Sequence, residues 1–327
     1  MRKVKIGLLG FGNVGRGTYE ALNMNRSHIE KKTGISFEIS KILVKDVNKD
    51  RRINLPASIL TDKISDVLED TNIDIAVEVL GGLEPATEYM LEALKQGKHV
   101  VTANKAAVAH NYGDLHRSAK ERNLLLKLEA CVAGGIPILH PLTTVLDGNQ
   151  FTEISGILNG TTNYILTKMT EEGLDYNTVL KTAQKKGFAE ADPTADVEGI
   201  DAANKLSILM ALAFDKYVHP DKIPTEGISK INMKDIENAR KENKKIKLFA
   251  TAKIENDKLT YFVKPVALPC QHPLTGVSNE FNAVFLNGNA VDELMFYGKG
   301  AGPLPTGSAV LGDIIQVGRH IIFKEER

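Results

Sequence analysis

The sequence predicts an α/β chain, with a doubly wound parallel sheet in its first part and a second, α+β domain after it. Three observations carry this. The 327 residues exceed the size at which one hydrophobic core usually stops growing, so two domains are expected. A strand-like run near the N-terminus leads into a glycine triplet and then a helical stretch. Beyond it, short apolar runs alternate with helical patterns, which implies parallel strands joined by right-handed crossovers.

Taken in order, Val4–Leu9 is a buried-strand pattern. It runs into Gly10-Phe11-Gly12-Asn13-Val14-Gly15, with a helix from Gly17 to about Asn23. At this spacing Gly10 permits a tight turn, Gly12 lets a pyrophosphate approach the backbone, and Gly15 lets helix and strand pack closely. The phosphates would sit on free N–H groups at the helix N-terminus. Glycine-rich turns also occur as plain loops; the strand before and the helix after favour the dinucleotide reading. Strands follow at Phe37–Val44, Ile73–Leu80 and His99–Thr102, with a helix between the last two that has Pro85 in its first turn and Gly97 at its stop. The sheet is therefore of Rossmann type.

The residue just past the second strand governs cofactor choice. Here it is Lys45, which favours the 2′-phosphate of NADP(H). Asp46 beside it is able to accept from a ribose hydroxyl, so NAD(H) stays possible. Thr102-Ala103-Asn104-Lys105 closes a later strand. Ligands of open α/β sheets bind beyond the carboxyl ends of strands, which puts Lys105 where the nicotinamide end of a cofactor belongs.

A strand at Leu124–Leu128 leads into Glu129-Ala130-Cys131-Val132-Ala133-Gly134-Gly135-Ile136-Pro137. The carbonyls of such a turn cannot all find neighbours; a monovalent cation or water would satisfy them. Cys131 has no histidine nearby in sequence, so a buried small hydrophobe is its expected role. In the second half Ile154–Leu158 reads as a strand ending in Asn159-Gly160-Thr161-Thr162. Thr161 or Thr162 is expected to cap a helix that stops at Gly173, and Asp175 to cap another that stops at Gly187. The turn also offers donors to a substrate carboxylate.

The stretch Phe188–Asp201 carries five carboxylates and no basic residue, then enters the apolar helix Ala202–Phe214. Acids at a helix N-terminus complement its dipole, which accounts for Glu198 and in part for Asp196. It does not account for Lys205 one turn inside an apolar helix, four residues from Asp201 and on the same face. That pair suits proton transfer, and the carboxylates suit the ammonium of an amino-acid substrate. Further strands are expected at 248–253 and 259–268. A second glycine-rich loop, Gly298–Gly307, is expected to close over the cofactor, with a last helix from about Ser308 to Phe323.

Composition excludes several classes. Hydrophobic residues are 43% and charged residues 25% of the chain, as in an ordinary globular protein. Net charge is zero, so no field draws nucleic acid or an anionic membrane, and no apolar run approaches the roughly 18 residues that span a bilayer. The N-terminal run is too short for a signal peptide. Cys131 and Cys270 are too few for a disulfide framework. A cytoplasmic protein is expected.

Together Gly10–Gly15, Ala103-Asn104-Lys105, Glu129–Pro137, Gly156–Tyr164, Gly187–Lys205 and Gly300–Gly307 resemble the homoserine dehydrogenases, in the family's order and over nearly the whole chain. The resemblance implies an NAD(P)-dependent oxidoreductase interconverting L-homoserine and L-aspartate 4-semialdehyde, on the route to threonine, isoleucine and methionine. It implies Lys205 and Lys105 in proton transfer, with Asp201 orienting Lys205. Glu190 and Asp196 would hold the substrate amino group, with Gly160 and Thr162 also in the substrate site. Gly10 to Gly15, Lys45, Ala103, Lys105 and Gly302 would bind cofactor. A structural sodium ion would lie on Glu129, Val132, Gly134 and Ile136. The implied architecture is a dinucleotide-binding domain of residues 1–130, onto which the segment 303–327 packs back, and a catalytic and dimerisation domain of residues 131–302 through which a homodimer forms. Many members carry a C-terminal amino-acid-binding regulatory domain. No room remains for one after Arg327, so threonine feedback through it is not expected. Two other readings stay open: another dehydrogenase, acting on aspartate or on a semialdehyde by a thiol route, and a nucleotide-sensing module without chemistry.

Overall fold

The computed structural model describes residues 2–325. They form two compact units, one made of the chain through Cys131 together with the segment from Gly302, the other of Val132–Ala301.

The first unit contains β1 (Arg2–Leu9), α1 (Asn13–Thr33), β2 (Ile35–Leu43), β3 (Leu60–Thr61), α2 (Ser65–Leu68), β4 (Ile75–Glu78), α3 (Ala86–Lys95), β5 (His99–Thr102), α4 (Lys105–His110), α5 (Tyr112–Glu121) and β6 (Leu126–Lys127). Among the described residues its sheet has the order β3-β2-β1-β4-β5-β6, every pair parallel. The order reverses between β1 and β4, which makes the carboxyl ends of those strands the ligand crevice of such a sheet.

Helix α1 begins earlier and runs far longer than its apolar pattern predicted. Its polar second half keeps only Ile29 buried, and Gly34 ends it in the left-handed conformation, φ 72°, with its N–H on the Glu30 carbonyl. The strand expected over 124–128 shrinks to two residues. Pro85 stands at the N-cap of α3 rather than inside it.

The segment from Gly302 holds the C-terminal helix, Pro303–Glu325. It begins at Pro303, five residues before the expected Ser308, because proline at the first helical position loses no hydrogen bond. Val310, Leu311, Ile314 and Val317 of this helix share one core with Val4, Ile6, Leu8, Phe37 and Ile42. It crosses α1 with backbone nearly touching backbone. A Cβ on Gly17 would lie 1.9 Å from the Pro303 carbonyl oxygen, and one on Gly307 2.3 Å from the Gly17 carbonyl carbon.

The second unit contains α6 (Leu139–Leu142), β7 (Phe151–Ile157), α7 (Gly160–Glu172), α8 (Tyr176–Lys185), α9 (Thr194–Val197), α10 (Ile200–Phe214), α11 (Met233–Lys241), β8 (Lys244–Glu255), β9 (Lys258–Pro269), β10 (Phe281–Gly288) and β11 (Asp292–Lys299). Its sheet is antiparallel, in the order β11-β10-β7-β8-β9. Helix α7 packs on β8 and β10, and α10 on β7, β8 and β9. Strands β8 and β9 are longer than predicted because Asn256-Asp257, both at positive φ, close a tight hairpin. Gly298 and Lys299, expected in a loop, are the last residues of β11. The irregular stretch is therefore short, since Pro303 already lies in the C-terminal helix.

Candidate active site

In the first unit the glycine turn stands at the end of β1. Gly10 has φ 107°, where a Cβ would lie 2.9 Å from the Val79 carbonyl oxygen, and a Cβ on Gly15 would lie 2.3 Å from that of Gly10. Gly12 is the opposite case. It is exposed, a Cβ there would meet nothing within 4 Å, and as N-cap of α1 it makes no side-chain cap bond. A tight turn with open space before a helix N-terminus fits a pyrophosphate. Asn13 is exposed there, Phe11 and Val14 pack toward the core, and Gly302 keeps φ 122° where the C-terminal helix begins. Lys45 is exposed, two residues past β2.

The second feature of this unit is a carboxylate that the sequence reading passed over. Glu78, the last residue of β4, is fully buried. It accepts from the Leu80 N–H at 2.7 Å, the Thr102 hydroxyl at 2.7 Å and the Asn104 amide at 3.4 Å. Burial pushes its pKa up, against the pull of these donors. Asn104 also donates to the Gly82 carbonyl and caps α4 through the Ala107 N–H. Ala103 and Lys105, both half-buried, are thereby carried on a turn bonded to the end of β4. Cys131 donates to the Thr102 carbonyl and is completely buried, which raises its pKa well above the ordinary thiol range. It is no nucleophile, and the thiol route loses its cysteine.

Glu129 is buried in this unit, and its N–H donates to Asp313 Oδ2 at 2.8 Å. Burial pushes Asp313 up to about 7.

In the second unit the turn after β7 gathers the charges. Lys205 Nζ donates to Asp201 Oδ2 and to the Leu158 carbonyl, each at 2.6 Å. Lys205 is 7% and Asp201 6% exposed. A buried ion pair is weak evidence for stability, because desolvation opposes the Coulomb gain; its presence here argues for chemistry. The third N–H of Nζ has no partner among the described residues.

Asn159, not Thr161 or Thr162, caps α7. Its Oδ1 accepts the Thr162 N–H at 2.9 Å, and its Nδ2 donates to Asp196 Oδ1 at 2.7 Å and Asp201 Oδ2 at 2.9 Å. The threonines are already the second and third residues of α7, past the capping position. Thr161's hydroxyl lies 2.6 Å from the Phe188 carbonyl and 3.1 Å from Asp196 Oδ2, and its single proton serves one of them. Thr162 is fully buried with its hydroxyl on Asn159. Gly160 sits where a Cβ would lie 2.7 Å from the Glu280 carbonyl oxygen.

The acidic stretch divides. Asp196 and Asp201 are joined through Asn159. Asp192 binds the N–H and hydroxyl of Thr194, and Glu190 is exposed on the loop, its carbonyl accepting from Gln184. A second buried lysine went unnoticed in the sequence: Lys247 donates to Asn163 Oδ1 and the Val277 carbonyl, and burial lowers it to about 8.

The turn Val132–Ile136 is buried except for Gly135. Ala133 and Gly134 have positive φ, and a Cβ on Gly134 would lie 2.4 Å from the Gly300 carbonyl oxygen. Gly135 and Ile136 donate to the carbonyls of Lys299 and Ala133. Among the described residues the carbonyls of Val132, Gly134 and Ile136 accept no hydrogen bond, a donor set that suits a hard monovalent cation.

Residues 137–315 match the family described as Homoserine dehydrogenase, and residues 10–129 the family described as Homoserine dehydrogenase, NAD binding domain. A homoserine dehydrogenase of Bacillus subtilis is 44% identical over 321 residues, covering 98% of this chain and 74% of that protein. A crystal structure of a homoserine dehydrogenase from Thiobacillus denitrificans superposes with a TM-score of 0.94 at 40% identity, covering 98% of this chain and 74% of that one. A hyperthermophilic archaeal homoserine dehydrogenase in complex with NADPH superposes with a TM-score of 0.80 at 28% identity, covering 97% and 98%.

Proposed function

The chain belongs to the homoserine dehydrogenase family, and from that premise we propose how its residues divide the work. The enzyme interconverts L-homoserine and L-aspartate 4-semialdehyde by hydride transfer with a nicotinamide cofactor, a step of amino-acid biosynthesis. A bound nicotinamide supplies the hydride in reduction and accepts it in oxidation.

We assign the proton to Lys205. Its Nζ is held by Asp201 and the Leu158 carbonyl, and the remaining N–H is the one that meets the substrate oxygen. In reduction it protonates the alkoxide as the carbonyl accepts hydride; in oxidation the deprotonated amine takes the hydroxyl proton. Asp201 fixes the direction of that N–H and balances the ammonium charge. Asp196 and Glu190 bind the substrate's α-ammonium. In the nucleotide unit Gly10 to Gly15 seat the pyrophosphate, and Lys105, on the turn fixed by Glu78, stands at the cofactor's nicotinamide end. The single observation that carries the assignment is the buried Asp201–Lys205 pair with one N–H left over.

A spectrophotometric assay of nicotinamide oxidation with L-aspartate 4-semialdehyde tests it. Lys205→Ala lowers kcat by about 10²–10⁴-fold, the usual worth of a positioned general acid, while cofactor binding persists. Turnover near wild type would remove Lys205 from the role.

NADP(H) is favoured over NAD(H) because Lys45 is an exposed cation where the 2′-phosphate belongs. A structural sodium ion is assigned to the carbonyls of Val132, Gly134 and Ile136. A homodimer through the sheet of the second unit is supported by Met295 and Tyr297, 45% and 53% exposed on the edge strand β11; light scattering measures it. We place the reaction in the cytoplasm. Among the described residues no helix is long and apolar enough to cross a membrane.

A further inference from the structure

We propose that Asn159 is a positioning residue for the reaction, a rigid bridge that sets the spacing between the carboxylate that binds the substrate's amino group and the ion pair that moves its proton. The inference rests on the assignment of Lys205 as the acid and deepens it.

The geometry separates two jobs in one amide. Asn159 Oδ1 accepts the Thr162 N–H at 2.9 Å and faces the Thr162 hydroxyl at 3.0 Å, which is the capping job. Serine and aspartate perform it about as well. Nδ2 does what they cannot: one of its N–H groups goes to Asp196 Oδ1 and the other to Asp201 Oδ2, at 2.7 and 2.9 Å. The orientation is fixed, since the flipped amide would set its oxygen against two carboxylate oxygens and its NH₂ against the Thr162 N–H.

Asp201 Oδ2 is also the oxygen that Lys205 Nζ binds. Two donors therefore share one carboxylate oxygen. The Leu158 carbonyl, one residue earlier, takes another N–H of Nζ. Consecutive residues of one turn thus grip both members of the ion pair, and the same turn holds Asp196. In the substrate the α-ammonium and the reacting oxygen stand at a spacing set by its carbon chain. A protein that binds one and protonates the other needs those two groups at a fixed separation, and misplacement by about 1 Å can cost 10²-fold. The amide supplies that separation. It also shares Asp201 Oδ2 with Lys205, taking part of that oxygen's hydrogen-bonding capacity.

Asn159→Ser and Asn159→Asp test the bridge, because both keep the cap and neither supplies two donors. Serine is too short to reach either carboxylate; aspartate adds a third negative charge. For both we expect kcat lower by roughly 10-fold or more and a raised KM for L-homoserine. The basic limb of the pH–kcat profile for semialdehyde reduction should move upward, further for Asp than for Ser, as Asp201 or the added charge holds the Lys205 proton harder. A residue that only caps α7 would leave KM and the pH profile unmoved. Wild-type kcat, KM and pH profile in both variants, beside an inactive Lys205→Ala, would overturn the bridge alone. A Lys205→Ala enzyme that still turns over would overturn the assignment and the bridge together.

Discussion

Lys205 Nζ and Asp201 Oδ2 stand 2.6 Å apart on one face of α10, one helical turn from each other and both out of solvent. Removing the acid should cost more than activity. Asp201→Leu leaves an ammonium buried without its counter-charge, a loss of about 3–5 kcal/mol. Denaturant unfolding of Asp201→Leu beside the double variant with Lys205→Met should show much of that loss recovered in the pair. Equal stability of the two would mean that the charge is solvated.

Glu78 is the corresponding keystone of the nucleotide unit. Glu78→Leu strands the buried Thr102 hydroxyl, at about 1–3 kcal/mol for an unsatisfied group, and frees the half-buried Leu80 N–H. Glu78→Gln keeps one acceptor and should lose less. Because Asn104 and Lys105 hang from the same network, Kd for the cofactor should rise in both, as read by nicotinamide fluorescence. A destabilised Glu78→Leu with unchanged cofactor affinity would confine Glu78 to the fold.

Acid should loosen this unit through His99. Its Nδ1 accepts the Leu125 N–H at 2.9 Å, which needs the nitrogen unprotonated. Burial, helped by His320 and Lys324, lowers its pKa to about 4 from the ordinary 6.5. As pH falls below 6.5 the unfolded chain takes up a proton that the native state refuses until about 4. The stabilising contribution is therefore complete above 6.5 and is lost across 6.5 to 4. Thermal melts of wild type against His99→Gln should differ in slope over that window and run parallel above it.

Gly17 meets two opposed effects. Alanine would gain about 1 kcal/mol of helix propensity in α1. Its Cβ would stand 1.9 Å from the Pro303 oxygen, and forcing the helices apart costs about 1–3 kcal/mol or more. Gly17→Ala should be net destabilising; a stabilised variant would mean that the C-terminal helix shifts freely.

Cofactor choice should turn on Lys45. Lys45→Glu is expected to weaken NADPH binding at least 10-fold with NADH affinity kept, measured by titration of both. An unchanged ratio would remove Lys45 from the site.

Much of the nucleotide unit was legible because its signals are local: a glycine turn between strand and helix, and short strands rich in apolar residues. The Asp201–Lys205 pair was legible for the same reason, both residues lying on one turn of an apolar helix. Asn159 and Glu78 were not. Asn159 looked like turn punctuation, and its carboxylate partners lie 37 and 42 residues away. Glu78 looked like one acid in the apolar run of β4, and its partners on β5 and the turn after it are 24 and 26 residues distant. Strands β10 and β11 went unread, although β11 alternates exposed and half-buried residues, because the glycines at its end pulled the reading toward a loop.

The C-terminal helix lays Val310, Ile314 and Val317 into the same core as β1 and β2, so the nucleotide unit is a discontinuous one. During synthesis its first 131 residues emerge long before the helix that completes their core, while the inserted unit has all of its own strands by then. Assembly on the ribosome therefore runs against the usual N-terminal-first order. The earliest residues of the chain are among the last to be sealed.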